Sequence, residues 1–331
     1  MGKMQIHTRR MMLVVSALSL SVSMLFGQDV MVARQATLMG SVFDITVIDS
    51  DSVQANKHID QVIAEVSRIE NLISEWQPHT QISRVNQQAG IRPVMVDREV
   101  FDLTKRAITY SEQSAGAFDI SVAGLDHIWR FDGSMDELPS AEVVKRSVAH
   151  VGYQHIVLDS AACSIYLSKK GMKIGFGSIG KGYAADKGRA LLKTLGVKGG
   201  IVNASGDLAT WGKPPHERYW KIGLNHPFRA HKMMCILKLS EEAVATSGSY
   251  EKYAEIADVR YAHIINPKTG YPSTGLTSVS IYGPSAEIAN ALSTSIMVLG
   301  KKKGKALLKA FPDYNYIFVT DTGRVSKSRK H

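Results

Sequence analysis

Five stretches of the chain hold the residue types best suited to chemistry. The densest glycine run is Gly175-Phe176-Gly177-Ser178-Ile179-Gly180-Lys181-Gly182-Tyr183, set between a β-type segment and a helical one. Amides at such a junction can cradle an anion, because a helix N-terminus presents unpaired N–H donors and partial positive charge. Glycines alone would equally suit a tight turn that packs a helix on a sheet, and Lys181 inside the turn tips the reading towards an anion. The spacing imitates a P-loop, but Gly182 stands where that motif needs a hydroxyl for magnesium, which argues against an ATPase of that class. Asn203-Ala204-Ser205-Gly206-Asp207 is small enough for close ligand approach, with Asp207 read as a turn or capping residue. Ala245 to Tyr250 offers the hydroxyls of Thr246 and Ser247, and Tyr261 to Pro267 offers His263. A histidine titrates near neutral pH and can take a proton from an attacking hydroxyl, though a packed structural ring is the commoner fate. Asn290 and Thr294 lie four apart after Pro284, so a helix there aims two neutral oxygens to one side, either for a hard cation or as a polar stripe.

The elements that would position these residues follow from periodicity. Residues 36–49 alternate as a strand, and 53–74 place Ile59, Val62, Ile63, Val66, Ile69, Leu72 and Ile73 at helical spacing. Further helices are expected over 98–114 and about 140–149, with 115–135 between them as a loop with a purpose. From residue 155 the chain turns to short β-type runs at 155–159, 163–167, 199–203, 219–225, 233–239, 243–247 and 277–282. Helices at 180–195 and 285–309 interrupt them, the second broken at Gly300. This is an α+β arrangement rather than a regular βαβ alternation, without internal repeats or a Pro-rich linker.

Residues 1–27 carry Lys3, Arg9 and Arg10, then an apolar run from Met11 to Phe26 and no acidic residue, the layout of a signal peptide with cleavage near Gly27. A retained anchor is the alternative, and the absence of Cys from this segment argues against lipid attachment. One domain over 28–331 is expected, exported to the periplasm. Its 44% hydrophobic content suffices for a large core. The signal accounts for three charges of the formal +10, and the remaining surplus suits anionic ligands. Lys301, Lys302, Lys303, Lys305 and Lys309 read as the solvated face of a helix with no aromatic platform, so nucleic acid is not expected as a partner. Two cysteines, Cys163 and Cys235, are too few for a disulfide scaffold or a zinc cluster.

Together the segments resemble the ApbE family of FAD:protein FMN transferases. The resemblance is carried by Met39-Gly40, Glu75-Trp76 with Ser83 and Asn86, Gly116 to Asp119, Ile179 to Ala184, Asn203 to Asp207, Ala245 to Gly248, Tyr261 to Pro267 and Ser285 to Gly300. It implies an α+β, T-fold-related architecture of mixed sheets with flanking helices and an FAD cleft between two subdomains. It further implies FAD contacts at Met39, Trp76, Ala117, Phe118, Asp119, Lys181, Ser247, Gly248, His263 and Ile264, with magnesium ligated by the Gly180 carbonyl, Asn290 and Thr294. His263 and Lys181 are the implied catalytic residues. The implied partner is an acceptor flavoprotein subunit of respiratory electron-transfer type, membrane-associated or not, carrying the target Thr or Ser. This chain departs from the family pattern where Asn290 and Gly175 replace aspartates and where Ser205 replaces a glycine. The same resemblance leaves room for hydrolysis of FAD to FMN and AMP, or for flavin binding without catalysis.

Overall fold

The computed structural model describes residues 29–125, 128–229, 232–250, 253–257 and 259–328; the signal segment expected at 1–27 lies outside them. The strand expected over 36–49 is a hairpin, β1 (Val30–Leu38) and β2 (Ser41–Asp49), turning at Met39 and Gly40. A two-residue turn preserves the period of two, so the alternation runs through it unbroken. Both turn residues have positive φ, 50° at Met39 and 65° at Gly40. The left-handed conformation is costly for Met, and the Met39 amide is held there by Glu70 Oε2 at 2.8 Å.

Glu70 belongs to α1 (Ser52–Ile73), whose N-terminus is capped by Asp51 accepting from the amides of Val53 and Gln54. Ile59, Val62, Val66 and Ile69 are fully buried on its inner face, each contributing about 1.5–3 kcal/mol through burial. A short α2 (Gln81–Gln87) follows, then β3 (Val94–Met95), α3 (Arg98–Gln113), a 3-10 turn at Ile120–Leu125, α4 (Ala141–Val148), β4 (Ile156–Asp159) and β5 (Ser164–Leu167). Next come α5 (Gly180–Thr194), β6 (Gly199–Ala204), β7 (Asp207–Trp211), β8 (Trp220–Asn225), β9 (Met233–Leu239) and β10 (Ala243–Gly248). The chain ends with β11 (Tyr253–Ile256), β12 (Val259–Ala262), β13 (Leu276–Gly283), α6 (Ala286–Leu307), β14 (Asn315–Thr320) and β15 (Val325–Lys327). Gly300 breaks α6 as expected, with φ 73° and ψ 171°. Asp207, expected in a turn, instead opens β7 and is buried.

The principal sheet runs β1-β2-β6-β7-β10-β13-β14-β15, and every pairing in it is antiparallel. Along β10, Ala243 and Ala245 face the cores built with α1, α5 and α6, while Val244 faces Leu224, Leu237 and Leu239 of the β8–β9 hairpin. Covered on both faces, β7 and β13 are buried at every position, the polar Asp207, Ser278 and Ser280 included. Among the described residues no helix is long and apolar enough to cross a membrane.

Candidate active site

The glycine run enters α5 through an irregular stretch pinned by Asn86, whose side-chain amide donates to the Ile174 carbonyl (2.9 Å) and accepts from the Ile174 amide (2.8 Å). Gly175 then donates to the Ile120 carbonyl at 3.0 Å, tying the run to the 3-10 turn. Ile179 occupies the N-cap position of α5 and supplies no side-chain cap. The amides of Lys181 and Gly182 therefore point outward without hydrogen-bond partners among the described residues. Lys181 is half-buried and forms no ion pair among the described residues. Gly180 is buried against Met39, whose terminal methyl lies 3.3 Å from where a Cβ at Gly180 would stand.

Facing α5 is the first half of α6. Its crossing is so close that a Cβ on Gly182 would sit 2.4 Å from the Ala286 carbonyl oxygen. One turn further, Asn290 is 6% exposed, and its Oδ1 is buried without a hydrogen-bond partner among the described residues. A buried acceptor with nothing to accept costs about 1–3 kcal/mol, so such an atom calls for a ligand. Thr294 lies on the same face, with Oγ1 3.4 Å from Ser247 Oγ, which also meets Ser293 Oγ at 2.9 Å. Ser247 thus reaches α6 from the end of β10. The next residue, Gly248, lies under the Tyr250 ring, which would stand 2.6 Å from a Cβ placed there. Among the described residues no three His, Cys, Asp or Glu side chains gather as a metal cluster. A cation held by Asn290, Thr294 and the Gly180 carbonyl would have neutral oxygens alone, a donor set that fits a hard divalent ion.

His263 follows β12 and stands edge-on to Phe131, ring centroids 6.4 Å apart. Trp129 stacks on Phe131, tilts over Tyr261 and donates its Nε1–H to the Gly270 carbonyl at 2.7 Å, so an aromatic platform carries the 263–272 loop. The neighbouring Ile264 is buried with Ala245, Ala289 and Leu292, which ties His263 to β10 and α6. Ala117, Phe118 and Asp119 are all buried. Burial pushes the Asp119 carboxyl up, opposed by hydrogen bonds from Ser121 (Oγ, 2.6 Å; N, 2.9 Å) and the Tyr153 amide (2.7 Å). Asp119 therefore spends its oxygens on shaping the loop, and only backbone of 117–119 is left to face a ligand. Trp76, by contrast, is 73% exposed, a large ring presented to solvent.

A family model described as the ApbE family matches residues 39–318. The chain belongs to the ApbE family. It is 32% identical over 287 residues to an FAD:protein FMN transferase of Klebsiella pneumoniae, covering 86% of this chain and 88% of that protein. Among solved structures it resembles the ApbE protein of Thermotoga maritima, with a TM-score of 0.83 and 31% identity over 90% of this chain and 97% of that one. The apo flavinyl transferase ApbE of Pseudomonas stutzeri follows, TM-score 0.80 and 28% identity over 91% and 96%. The α+β fold expected from the resemblance is thereby shown.

For this ApbE chain the site holds features that sequence reading passed over. At Gly175, where the family pattern has aspartate, a Cβ would stand 2.5 Å from Glu75 Oε1; a carboxylate is present there, delivered from another element. Lys268 reaches over Gly116, its Cε 3.4 Å from where a Cβ would be. A groove of about 540 Å³ along α5, lined by Tyr183, Lys187, Lys193, Glu241 and Glu287 among others, contains none of the residues expected to touch FAD or the metal.

Proposed function

We propose that this chain transfers FMN from FAD to a Thr or Ser hydroxyl of an acceptor flavoprotein, releasing AMP, and that it works with magnesium after export to the periplasm. The names of its relatives support the reaction class. The observation that carries the reading at the site is the unpartnered, buried Asn290 Oδ1, beside Thr294 and across from the uncapped start of α5. Magnesium bound there by Asn290, Thr294 and the Gly180 carbonyl would neutralise charge on the diphosphate.

In this reaction a bond forms between the acceptor oxygen and the FMN phosphorus while the bond to the AMP phosphate oxygen breaks, and AMP departs with that electron pair. His263 takes the hydroxyl proton. Lys181 and the outward amides of Lys181 and Gly182 hold the phosphate oxygens, where charge changes most, and they need no reorganisation to do so. Trp76 offers a face on which the isoalloxazine stacks. The residues at 117–119 shape the wall of the flavin site through backbone, and Met39 closes it over Gly180. The acceptor is of respiratory electron-transfer type, in or near the membrane, where a covalently fixed flavin cannot diffuse away.

The test is incubation with FAD, magnesium and an acceptor carrying the target hydroxyl, read by mass spectrometry. Covalent flavin on the acceptor is expected, lost in His263→Ala while FAD still binds. FMN and AMP without covalent product would mean hydrolysis, and unchanged FAD would mean a binding protein.

A further inference from the structure

Glu287 lies in the first turn of α6, 7% exposed. Arg106 of α3 grips both of its oxygens, Nε to Oε1 at 2.7 Å and Nη2 to Oε2 at 3.0 Å, and the Tyr110 hydroxyl donates to Oε1 at 2.9 Å. Positions 287, 290 and 294 are spaced three and four, so Glu287 shares its helix stripe with Asn290 and Thr294. From α5, Asp186 Oδ2 accepts from Ser285 Oγ (2.7 Å) and from the Glu287 amide (3.0 Å), while Oδ1 accepts from Arg189 (2.8 Å). The Asp186 contacts fix how far α6 slides along α5. The fork on Glu287 fixes how α6 is turned about its own axis.

We infer that Glu287, held by Arg106 and Tyr110, is a positioning residue that sets the divalent-cation affinity of the Asn290, Thr294 and Gly180 oxygens. With Glu287 buried and Arg106 half-exposed, this ion pair is a poor means of stabilising a helix contact, since the carboxylate's desolvation offsets much of the attraction and apolar side chains of similar volume can do as well. What a bidentate guanidinium–carboxylate fork adds is direction. Direction matters most where the ligands are neutral: without a carboxylate to attract the ion, affinity depends on oxygens held within a few tenths of an ångström of their place. The inference rests on the metal reading of the proposed function.

Its test uses the full chain and Mn2+ as probe, with free Mn2+ followed by electron paramagnetic resonance, in the presence and absence of FAD. Two variants are compared, Glu287→Gln and the apolar pair Arg106→Met with Glu287→Leu, the second chosen to keep the helices packed. Both should bind Mn2+ about 10- to 100-fold more weakly. The apolar pair should melt at the wild-type temperature, and FAD affinity measured in chelator should not change. The metal concentration for half-maximal rate should rise more than kcat falls, which a loss of packing alone would not produce. Folded variants that hold Mn2+ within about twofold of wild type would overturn the inference while leaving the metal reading intact. Wild-type protein that binds no Mn2+ would overturn both.

Discussion

Gly182→Ala sets two physical effects of opposite sign against each other. Gly182 sits inside the first turn of α5 without positive φ, so by helix propensity alone alanine should stabilise by about 1 kcal/mol. The new Cβ, however, would stand 2.4 Å from the Ala286 oxygen, 2.7 Å from its carbonyl carbon and 3.0 Å from the Glu287 nitrogen. All three are backbone atoms and cannot rotate aside, so α5 and α6 must separate by roughly 1 Å to reach ordinary contact. Overpacking of this kind costs about 1–3 kcal/mol, so the propensity gain is cancelled and the net expectation is destabilisation by up to about 2 kcal/mol. Gly180 and Asn290 lie on opposite sides of the contact being prised open, so the variant should also lose divalent-cation affinity. Urea unfolding followed by the fluorescence of the four tryptophans measures the first effect, and Mn2+ titration of the folded variant measures the second. A variant as stable as wild type or more so, with unaltered Mn2+ binding, would refute the argument that the glycine is there for the α6 backbone.

Asn290→Asp should tighten magnesium binding, since the added carboxylate brings charge as well as geometry, and should lower the melting temperature in chelator, because the charge is then buried alone; calorimetry with and without magnesium reads both. Gly175→Asp places a second side chain 2.5 Å from Glu75 Oε1 and should cost about 1–3 kcal/mol, with most of the loss recovered in the Glu75→Ala background; equal melting temperatures in the two backgrounds would count against the clash. Burial pushes Glu99 up, but hydrogen bonds from Arg68 and Tyr183 and the Lys187 charge outweigh it and hold the carboxyl at about 2, below its ordinary 4.5. A carboxyl lowered in the folded state lends stability that is complete above about pH 4.5 and is lost as pH falls through about 2, so Glu99→Gln should flatten that acid limb of the melting curve.

The parts of this site that could be read in the sequence are those whose signal is local. The glycines before α5, the spacing of Asn290 and Thr294, and the amphipathic face of α1 each declare themselves within one or two helical turns. The β1–β2 turn escaped for a local reason too, because Met39 and Gly40 keep the alternation in step and no Asn-Gly or Asp-Gly pair marks the reversal. What could not be read is who holds these residues in place. Glu75 meets Gly175 from a hundred positions away in sequence, and Arg106 meets Glu287 across 181. Charged residues of this kind look like ordinary surface in a periodicity count, and only the fold reveals that Glu287 is buried and paired with a half-buried Arg106. The apparent loss of two aspartates shows the consequence. Read by position, Gly175 and Asn290 subtract two carboxylates from the site; read by place, Glu75 returns one of them at Gly175, and Asn290 keeps a neutral oxygen on a helix whose first turn Arg106 grips through Glu287. A substitution in one motif is therefore interpretable only with the side chains that other elements bring to the same point, and in this chain Gly182 owes its identity to the backbone of α6 rather than to the turn in which it stands.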